Sequence, residues 1–284
     1  MTAHETARWR NADLDWDRWP VPTYLAENYR ELHASDDAVI VHHSAFYRGL
    51  APGSVGRSVE IGTGPNLYPL FLASGASRHI DAVDAGAAGL AYLRAQLAGD
   101  PDPIWEPFWA RCRALNASLP ATMGEALRRV TPVQGDAFAL AGADYDLASM
   151  HFVAESVTED PDEFARFCAA FVATVRPGGL LVAAFMENMA RYSLGDGSRW
   201  PGLPVDDAAV SRVFAPLTRD LRVTRIDADP GLPEYGYTGM VLLTARRRRA
   251  RPPSEGTATP CHARSNGTTT LSEHPDGSSI IDDP

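Results

Sequence analysis

The sequence predicts an α/β protein whose core is a doubly wound, mostly parallel sheet of seven strands. Short apolar runs alternate with helical patterns between residues 57 and 217, and strands separated by helices usually pair in parallel. The last two strands follow one another without a helix, which predicts an antiparallel hairpin at one edge of the sheet. We therefore divide the chain into an N-terminal helical lid (1–56), a core (57–246) and a tail (247–284).

The individual elements follow from the spacing of the apolar residues. Apolar runs bounded by turn residues predict strands at 57–61, 78–83, 130–134, 145–150, 180–185, 222–228 and 238–245. Helical periodicity and composition predict helices at 26–50, 67–74, 87–98, 103–118, 123–129, 161–175 and 206–217. Phe164, Phe167 and Phe171 fall on one face of the helix at 161–175, so we expect that face to be buried.

Composition and charge exclude several classes of protein. The chain of 284 residues is 45% apolar and 22% charged, which is typical of a globular protein. All 26 basic residues are arginine, so enzymes that need a Schiff-base, P-loop or kinase lysine are excluded. The net charge of −10 disfavours nucleic acid as a partner and suits a small neutral or cationic substrate.

The sequence also predicts the compartment of the protein and the character of its C-terminus. The longest apolar run, 178–186, is far shorter than the ~20 residues of a membrane span. No apolar signal segment opens the chain, so we expect a cytoplasmic protein without membrane contact. We also expect it to be a monomer. Cys112, Cys168 and Cys261 lack the spacing of a metal site, and no metal is expected. The tail has no aromatic residue and is predicted to be disordered.

A glycine-rich turn after the first strand is the strongest candidate for a ligand site. Residues 60–66 read EIGTGPN, and glycine at Gly62 and Gly64 lets backbone N–H groups approach a ligand closely. A dinucleotide fingerprint would need a third glycine where Leu67 stands. A turn without that glycine suits S-adenosylmethionine, whose amino-acid end carries no phosphate, but a purely structural turn would have the same sequence.

Two acidic residues at the ends of the next strands favour the ligand interpretation. Asp84 ends the second strand, where a carboxylate can accept both ribose hydroxyls, and Asp136 ends the third, where an acid can meet an adenine amino group. Each could equally be a loop or helix-capping residue. Because open α/β sheets bind ligands at the carboxyl ends of their strands, the three features together indicate a cofactor site.

Three segments of the chain carry a family resemblance. Residues 23–29 read TYLAENY, residues 61–68 read IGTGPNLY, and the stretch 146–164 aligns without gaps. From 19 to 246 the sequence resembles the class I S-adenosylmethionine-dependent methyltransferases, and within them the nicotinamide, phenylethanolamine and indolethylamine N-methyltransferase family. The resemblance implies a Rossmann-like methyltransferase fold with S-adenosylmethionine as cofactor and a small molecule as substrate.

The resemblance also implies the residues of the site. The cofactor would be held by Tyr24, Tyr29, Gly62, Thr63, Gly64, Asn66, Tyr68, Asp84, Asp136, Ala137 and His151. The substrate would face Glu155, Phe185, Asn188 and Tyr192. Glu155, with Glu187 as its alternative, would deprotonate an amine, because an amine must be neutral when it attacks a methyl group.

Departures from the family pattern leave the substrate and the acceptor atom open. Phe185 stands in place of a nicotinamide-recognising aspartate, Gly89 stands in place of a side chain near the ribose or adenine, and 102–113 has no counterpart. On residue type alone, Glu155 is equally a solvated helix-start residue and His151 an interior histidine. The sequence is thus compatible with an N-methyltransferase, an O- or C-methyltransferase of secondary metabolism, or a non-catalytic cofactor-binding module.

Overall fold

In a computed structural model of the chain, the described residues are 8–99, 101–140, 142, 144–230 and 236–249. The strands are β1 Val55–Ile61, β2 Ser77–Asp84, β3 Val130–Gln134, β4 Tyr145–His151, β5 Val175–Glu187, β6 Tyr192–Ser193, β7 Arg199–Trp200, β8 Thr218–Asp227 and β9 Gly239–Arg247. They form a seven-stranded sheet in the order β3-β2-β1-β4-β5-β9-β8 and a separate two-stranded hairpin, β6-β7. Strands β1 to β5 pair in parallel, and β9 is antiparallel to both β5 and β8. The predicted fold class and its edge hairpin are confirmed.

Helices cover both faces of this sheet. They are α1 Val21–Asn28, α2 Ala34–Arg48, α3 Tyr68–Ser74, α4 Ala87–Ala98, α5 Glu106–Leu115, α6 Met123–Leu127, α7 Pro161–Thr174 and α8 Asp207–Phe214. Alternate residues of β5 enter two separate cores: Val182 lies with the side chains of α1 to α3, and Leu181 with those of α7 and α8. A strand buried on both faces is expected to be continuously apolar, as β5 is.

Local sequence explains how α7 begins and which face it buries. The Asp160 carboxylate accepts the backbone N–H groups of Asp162 and Glu163, at 2.9 and 3.3 Å, so it caps the helix. Phe164 and Phe171 are buried, as the spacing predicts. Strand β5, however, begins at Val175 and not at residue 180, where the prediction placed its start after Gly178 and Gly179. Gly178 has a φ of +86°, which lets the chain pass through an irregularity without ending the strand.

The N-terminal region differs from its prediction in one respect. The single helix expected at 26–50 is two helices, and the break between them places Tyr29 inward, where it is buried. The hairpin β6-β7 was not predicted, since each of its strands has only two residues. Cys112 and Cys168 are buried, whereas Cys261 and the tail beyond Arg249 lie outside the described residues. None of the described helices is long and apolar enough to cross a membrane.

Candidate functional site

One large cavity opens at the carboxyl ends of the parallel strands, where α/β sheets bind their ligands. It encloses about 1400 Å3, including its opening to solvent. Its wall is contributed by the strand ends and by the N-terminal helices together. Eleven of the predicted cofactor and substrate residues line it: Tyr24, Tyr29, Gly62, Thr63, Gly64, Asn66, Asp84, Asp136, Ala137, His151 and Tyr192.

The glycine turn forms the floor of one half of the cavity. The N–H groups of Gly62 and Thr63 donate to the Val83 carbonyl at 2.8 and 3.1 Å, which fixes the turn against β2. Gly62 has φ of +67°, and a Cβ there would lie 2.6 Å from Val153. Gly64 has φ of +52°, and a Cβ there would meet no atom within 4 Å. Both positions therefore require glycine, and a side chain at Gly64 would occupy cavity space.

Asp84 is locked beside this turn. Its Oδ2 accepts the Gly64 N–H at 2.7 Å and its Oδ1 accepts the Gly86 N–H at 2.8 Å. Burial raises the pKa of this carboxyl, although the two backbone donors partly offset the effect. Gly89 of α4 explains one departure from the family pattern: a Cβ there would lie 3.1 Å from the Gly64 Cα, so its absence lets the helix pack against the turn.

Asp136 and Ala137 lie at the rim of the same half. The Gly135 N–H donates to the Asp84 carbonyl at 2.9 Å, which joins the ends of β2 and β3. The Asp136 Oδ1 accepts the Phe138 N–H at 2.9 Å, and Asp136 is exposed. The free oxygen of this carboxylate can therefore accept a further hydrogen bond from a molecule in the cavity.

A segment before α1 covers the Asp84 end of the cavity. The Asp17 Oδ1 accepts the Ala87 N–H at 2.6 Å, and a Cβ on Gly86 would lie 2.7 Å from the Trp16 carbonyl oxygen. The Trp16 ring stacks on Trp200 at 5.2 Å between centroids, which ties this segment to the β6-β7 hairpin. Glycine at position 86, just before α4, therefore leaves the space that the covering segment occupies.

Three tyrosines lie behind the glycine turn. The hydroxyls of Tyr24 and Tyr29 are 3.3 Å apart, and Asn66 Nδ2 donates to the Tyr29 hydroxyl at 3.0 Å. Burial raises the pKa of Tyr24 to about 12, so its hydroxyl stays protonated at neutral pH. Tyr68, predicted to hold cofactor, is fully buried and has no surface in the cavity. Its ring stacks on Phe108 at 5.9 Å, so the segment without a family counterpart supports the tyrosines from behind.

His151 lines the cavity with both ring nitrogens already engaged. Its Nδ1 lies 2.9 Å from Glu60 Oε1, and its Nε2 lies 3.0 Å from His43 Nδ1. The second Glu60 oxygen accepts the Ser149 hydroxyl. Because neither nitrogen is free, His151 contributes a fixed ring to the wall and has no vacant position from which to take a proton from a ligand.

The predicted base Glu155 is not on the cavity wall. It is 0% exposed, its Oε1 accepts the Met186 N–H at 2.8 Å, and its Oε2 has no hydrogen-bond partner. Burial raises the pKa of Glu155 to about 8. The carboxyl group therefore lies one layer behind Met186 and does not touch a molecule in the cavity in this conformation.

Glu187 and Asn188 also lie outside the cavity. The Arg225 guanidinium donates to Glu187 Oε1 at 2.7 Å and holds the pKa of that carboxyl below its usual value. The Thr238 hydroxyl donates to the other Glu187 oxygen at 2.6 Å. Asn188 is exposed and donates to that hydroxyl at 3.0 Å. These contacts join the end of β5 to β8 and β9, so Glu187 and Asn188 have a structural role.

Phe185 faces away from the cavity, in contrast to its predicted contact with substrate. Its ring is fully buried and lies 6.1 Å from that of Phe164 and 6.0 Å from that of Phe214. Successive residues of a strand point to opposite faces, so Phe185 enters the core beneath α7 and α8 while Met186 faces the cavity. The sequence alone does not show which of these two adjacent apolar residues faces the cavity.

Asp36 is the acid of the cavity wall that sequence reasoning missed. It lies in the first turn of α2, where acidic residues are common, so nothing in the sequence separated it from an ordinary helix-start residue. It lines the cavity, is only 5% exposed, and its pKa is raised by burial to about 7. The apolar residues of the same wall include Met186, Met189 and Met240.

Several solved structures are similar to this chain. Magnesium protoporphyrin IX methyltransferase (ChlM) from Synechocystis PCC 6803, with bound SAM, matches 85% of this chain and 99% of its own, with 10% identity and a TM-score of 0.56. A DhpI–SAH complex matches 81% and 98%, with 18% identity and a TM-score of 0.47. The N-methyltransferase NodS from Bradyrhizobium japonicum WM9 matches 75% and 94%, with 13% identity and a TM-score of 0.46. No family model and no curated protein matches the chain. The likeness to ChlM shows that the two chains share a fold.

Proposed function

We propose that this protein is an S-adenosylmethionine-dependent methyltransferase that acts on a small molecule, most favourably on an amine or heteroaromatic nitrogen. The observation that carries the proposal is the convergence of the glycine turn at Gly62 and Gly64, the locked carboxylate of Asp84 and the rim acid Asp136 on one cavity. Each belongs to a different strand end, so their meeting is a property of the fold rather than of local sequence.

The cavity fits this cofactor at both of its ends. Gly64 leaves open space beside a carboxylate whose two oxygens are already oriented by backbone donors, so a ribose can be accepted without rearrangement. Tyr24, Tyr29, Thr63 and Asn66 would hold the amino-acid end, with Asp136 and Ala137 at the adenine and His151 against the cofactor. The cofactor supplies an electrophilic methyl group. The chain contributes alignment and the exclusion of water, which are the main requirements of an in-line displacement.

The other half of the cavity favours a nitrogen acceptor. Its wall combines methionines and aromatic rings with one buried acid, Asp36, and includes no described arginine that would select an anionic acceptor. This polarity agrees with the resemblance to the nicotinamide, phenylethanolamine and indolethylamine N-methyltransferase family, which we retain as the proposed relationship. Phenols and carboxylic acids are the acceptors that this wall disfavours.

Binding and turnover together test the proposal. Calorimetry with S-adenosylmethionine, S-adenosylhomocysteine and NAD should give micromolar binding of the first two and no binding of NAD. Methyl transfer from labelled cofactor to a panel of amines, phenols and carboxylic acids then identifies the acceptor atom. Binding of NAD without binding of the sulfonium would refute the cofactor assignment, and turnover of phenols alone would refute the acceptor assignment.

A further inference from the structure

Asp36 is a buried acid without a cation. Its neighbour in sequence, Asp37, pairs with Arg111 at 2.5 Å. No arginine or histidine in the described part of the chain acts on Asp36 itself, although 95% of its surface is removed from solvent. An unpaired buried carboxylate is costly, and because Asp36 lines the cavity, a ligand bound there can offset that cost.

The described groups that face Asp36 offer no compensating charge. The Tyr68 hydroxyl lies near Asp36 and lowers its pKa without a well-formed hydrogen bond, and Asp229 adds a like charge. The negative charge of Asp36 in turn helps to raise the pKa values of Tyr24, Tyr29 and Tyr237. The hydroxyl groups of these tyrosines are therefore uncharged at neutral pH. The Tyr68 and Tyr237 hydroxyls are buried and have no hydrogen-bond partner in the described chain. Two hydroxyl groups near the Asp36 carboxylate are therefore available for hydrogen bonds to a ligand.

The position of Asp36 in the fold separates it from the ribose site. Helix α2 packs against β8 and β9, which stand at one edge of the sheet. The glycine turn and Asp84 belong to β1 and β2, on the other side of β4 and β5. Asp36 thus shares its part of the wall with Met186, Met240 and Tyr237 rather than with the ribose site.

We propose that Asp36 is the specificity-determining residue for the acceptor, and that it binds the N–H or ammonium group of an amine carried on an apolar body. The inference rests on the proposed function, because it assigns the second half of the same cavity. A nitrogen donor satisfies the carboxylate, and the methionine side chains cover the apolar body of the ligand. An alcohol of the same shape gives a weaker, uncharged hydrogen bond.

The test uses the full chain saturated with S-adenosylhomocysteine and probes of known chemistry. Benzylamine, cyclohexylamine and butylamine are each titrated beside the matching alcohol, with binding followed by calorimetry. The variants are Asp36→Asn, Asp36→Glu as the conservative exchange, and Asp37→Asn as the matched control outside the cavity. Affinity for S-adenosylhomocysteine is measured separately for each protein, so that a failure of the cofactor assignment is seen independently. If the product does not bind, the same titrations are made on the free protein.

The expected result is selective. The wild type and Asp37→Asn should prefer amines over alcohols by at least tenfold, Asp36→Asn should lose that preference, and Asp36→Glu should recover part of it. Amine affinity of the wild type should also fall as the pH drops below 7, where Asp36 gains its proton. The proposal is overturned if the wild type shows no preference for amines or binds none of them. It is equally overturned if Asp36→Asn keeps the preference, or if that variant weakens S-adenosylhomocysteine instead.

Discussion

Replacement of Glu155 by glutamine should lower the stability of the protein at acid pH and raise it at alkaline pH. Burial raises the pKa of this carboxyl from its ordinary 4.5 to about 8. A raised carboxyl pKa means that the folded state holds its proton longer than the unfolded state, so stability is lost as the pH rises from 4.5 to about 8. At about 1.36 kcal/mol per pH unit, the loss is on the order of 5 kcal/mol above pH 8.

Glutamine removes this loss but introduces its own cost. Its oxygen can still accept the Met186 N–H, whereas its NH2 group takes the place of Glu155 Oε2, which has no partner, at roughly 1–3 kcal/mol. We therefore expect Glu155→Gln to be less stable than the wild type at pH 5 and more stable at pH 9. Urea unfolding at both pH values measures the difference, with the exposed Glu106→Gln as control. A difference that does not depend on pH would refute the burial argument.

The same variant tests the role that the sequence predicted for Glu155. Loss of a general base typically lowers turnover by about 10²–10⁴-fold. Because Glu155 has no surface in the cavity, we expect Glu155→Gln to keep both cofactor affinity and most of its turnover. A loss within the range of a general base would mean that the carboxyl group moves past Met186 when substrate binds.

Three further variants or probes test the cavity wall and the core. Gly64→Val should weaken S-adenosylmethionine binding at least tenfold, since the branched side chain enters open space, and its positive φ should cost about 1–2 kcal/mol of stability in urea unfolding. Gly86→Ala should displace the Trp16 segment, seen as red-shifted tryptophan fluorescence, whereas Gly124→Ala, with nothing within 4 Å of its Cβ, should not; equal spectra would count against the covering role. Burial raises the pKa of Cys112 to about 12 and that of Cys168 well above its usual value, so neither should alkylate before unfolding, and peptide mass spectrometry that found either of these two residues labelled in the folded chain would contradict this.

The fold was predictable because its signals are local and repeated. Each parallel strand is a short apolar run followed by a helix, and the glycine turn together with Asp84 and Asp136 marks the strand ends without any knowledge of tertiary contacts. The irregular start of β5 was not predictable in this way. It depends on how Gly178 continues the pairing with β4, which is a tertiary effect that overrides the local turn signal.

The acceptor half of the cavity was harder to predict because it depends on side-chain direction. Phe185 and Met186 are adjacent and apolar, and only the register of β5 decides which one faces the cavity. Glu155 and Asp36 are acids of the same kind in the sequence, and only the packing of α2 onto the sheet edge places Asp36 on the wall. Ion pairing likewise assigns Glu187 to Arg225, which lies 38 residues further along the chain.

Calorimetric titration of wild-type protein and Asp84→Ala with S-adenosylhomocysteine tests the central claim most directly. Asp84 is oriented by the glycine turn and faces the cavity, so loss of its hydrogen bonds to the ribose should weaken binding by about 1.5–3 kcal/mol, which is roughly ten- to a hundredfold. The exposed Glu106→Gln variant should bind like the wild type. Equal affinities of Asp84→Ala and wild type, or no binding by either protein, would contradict the assignment of this cavity to S-adenosylmethionine.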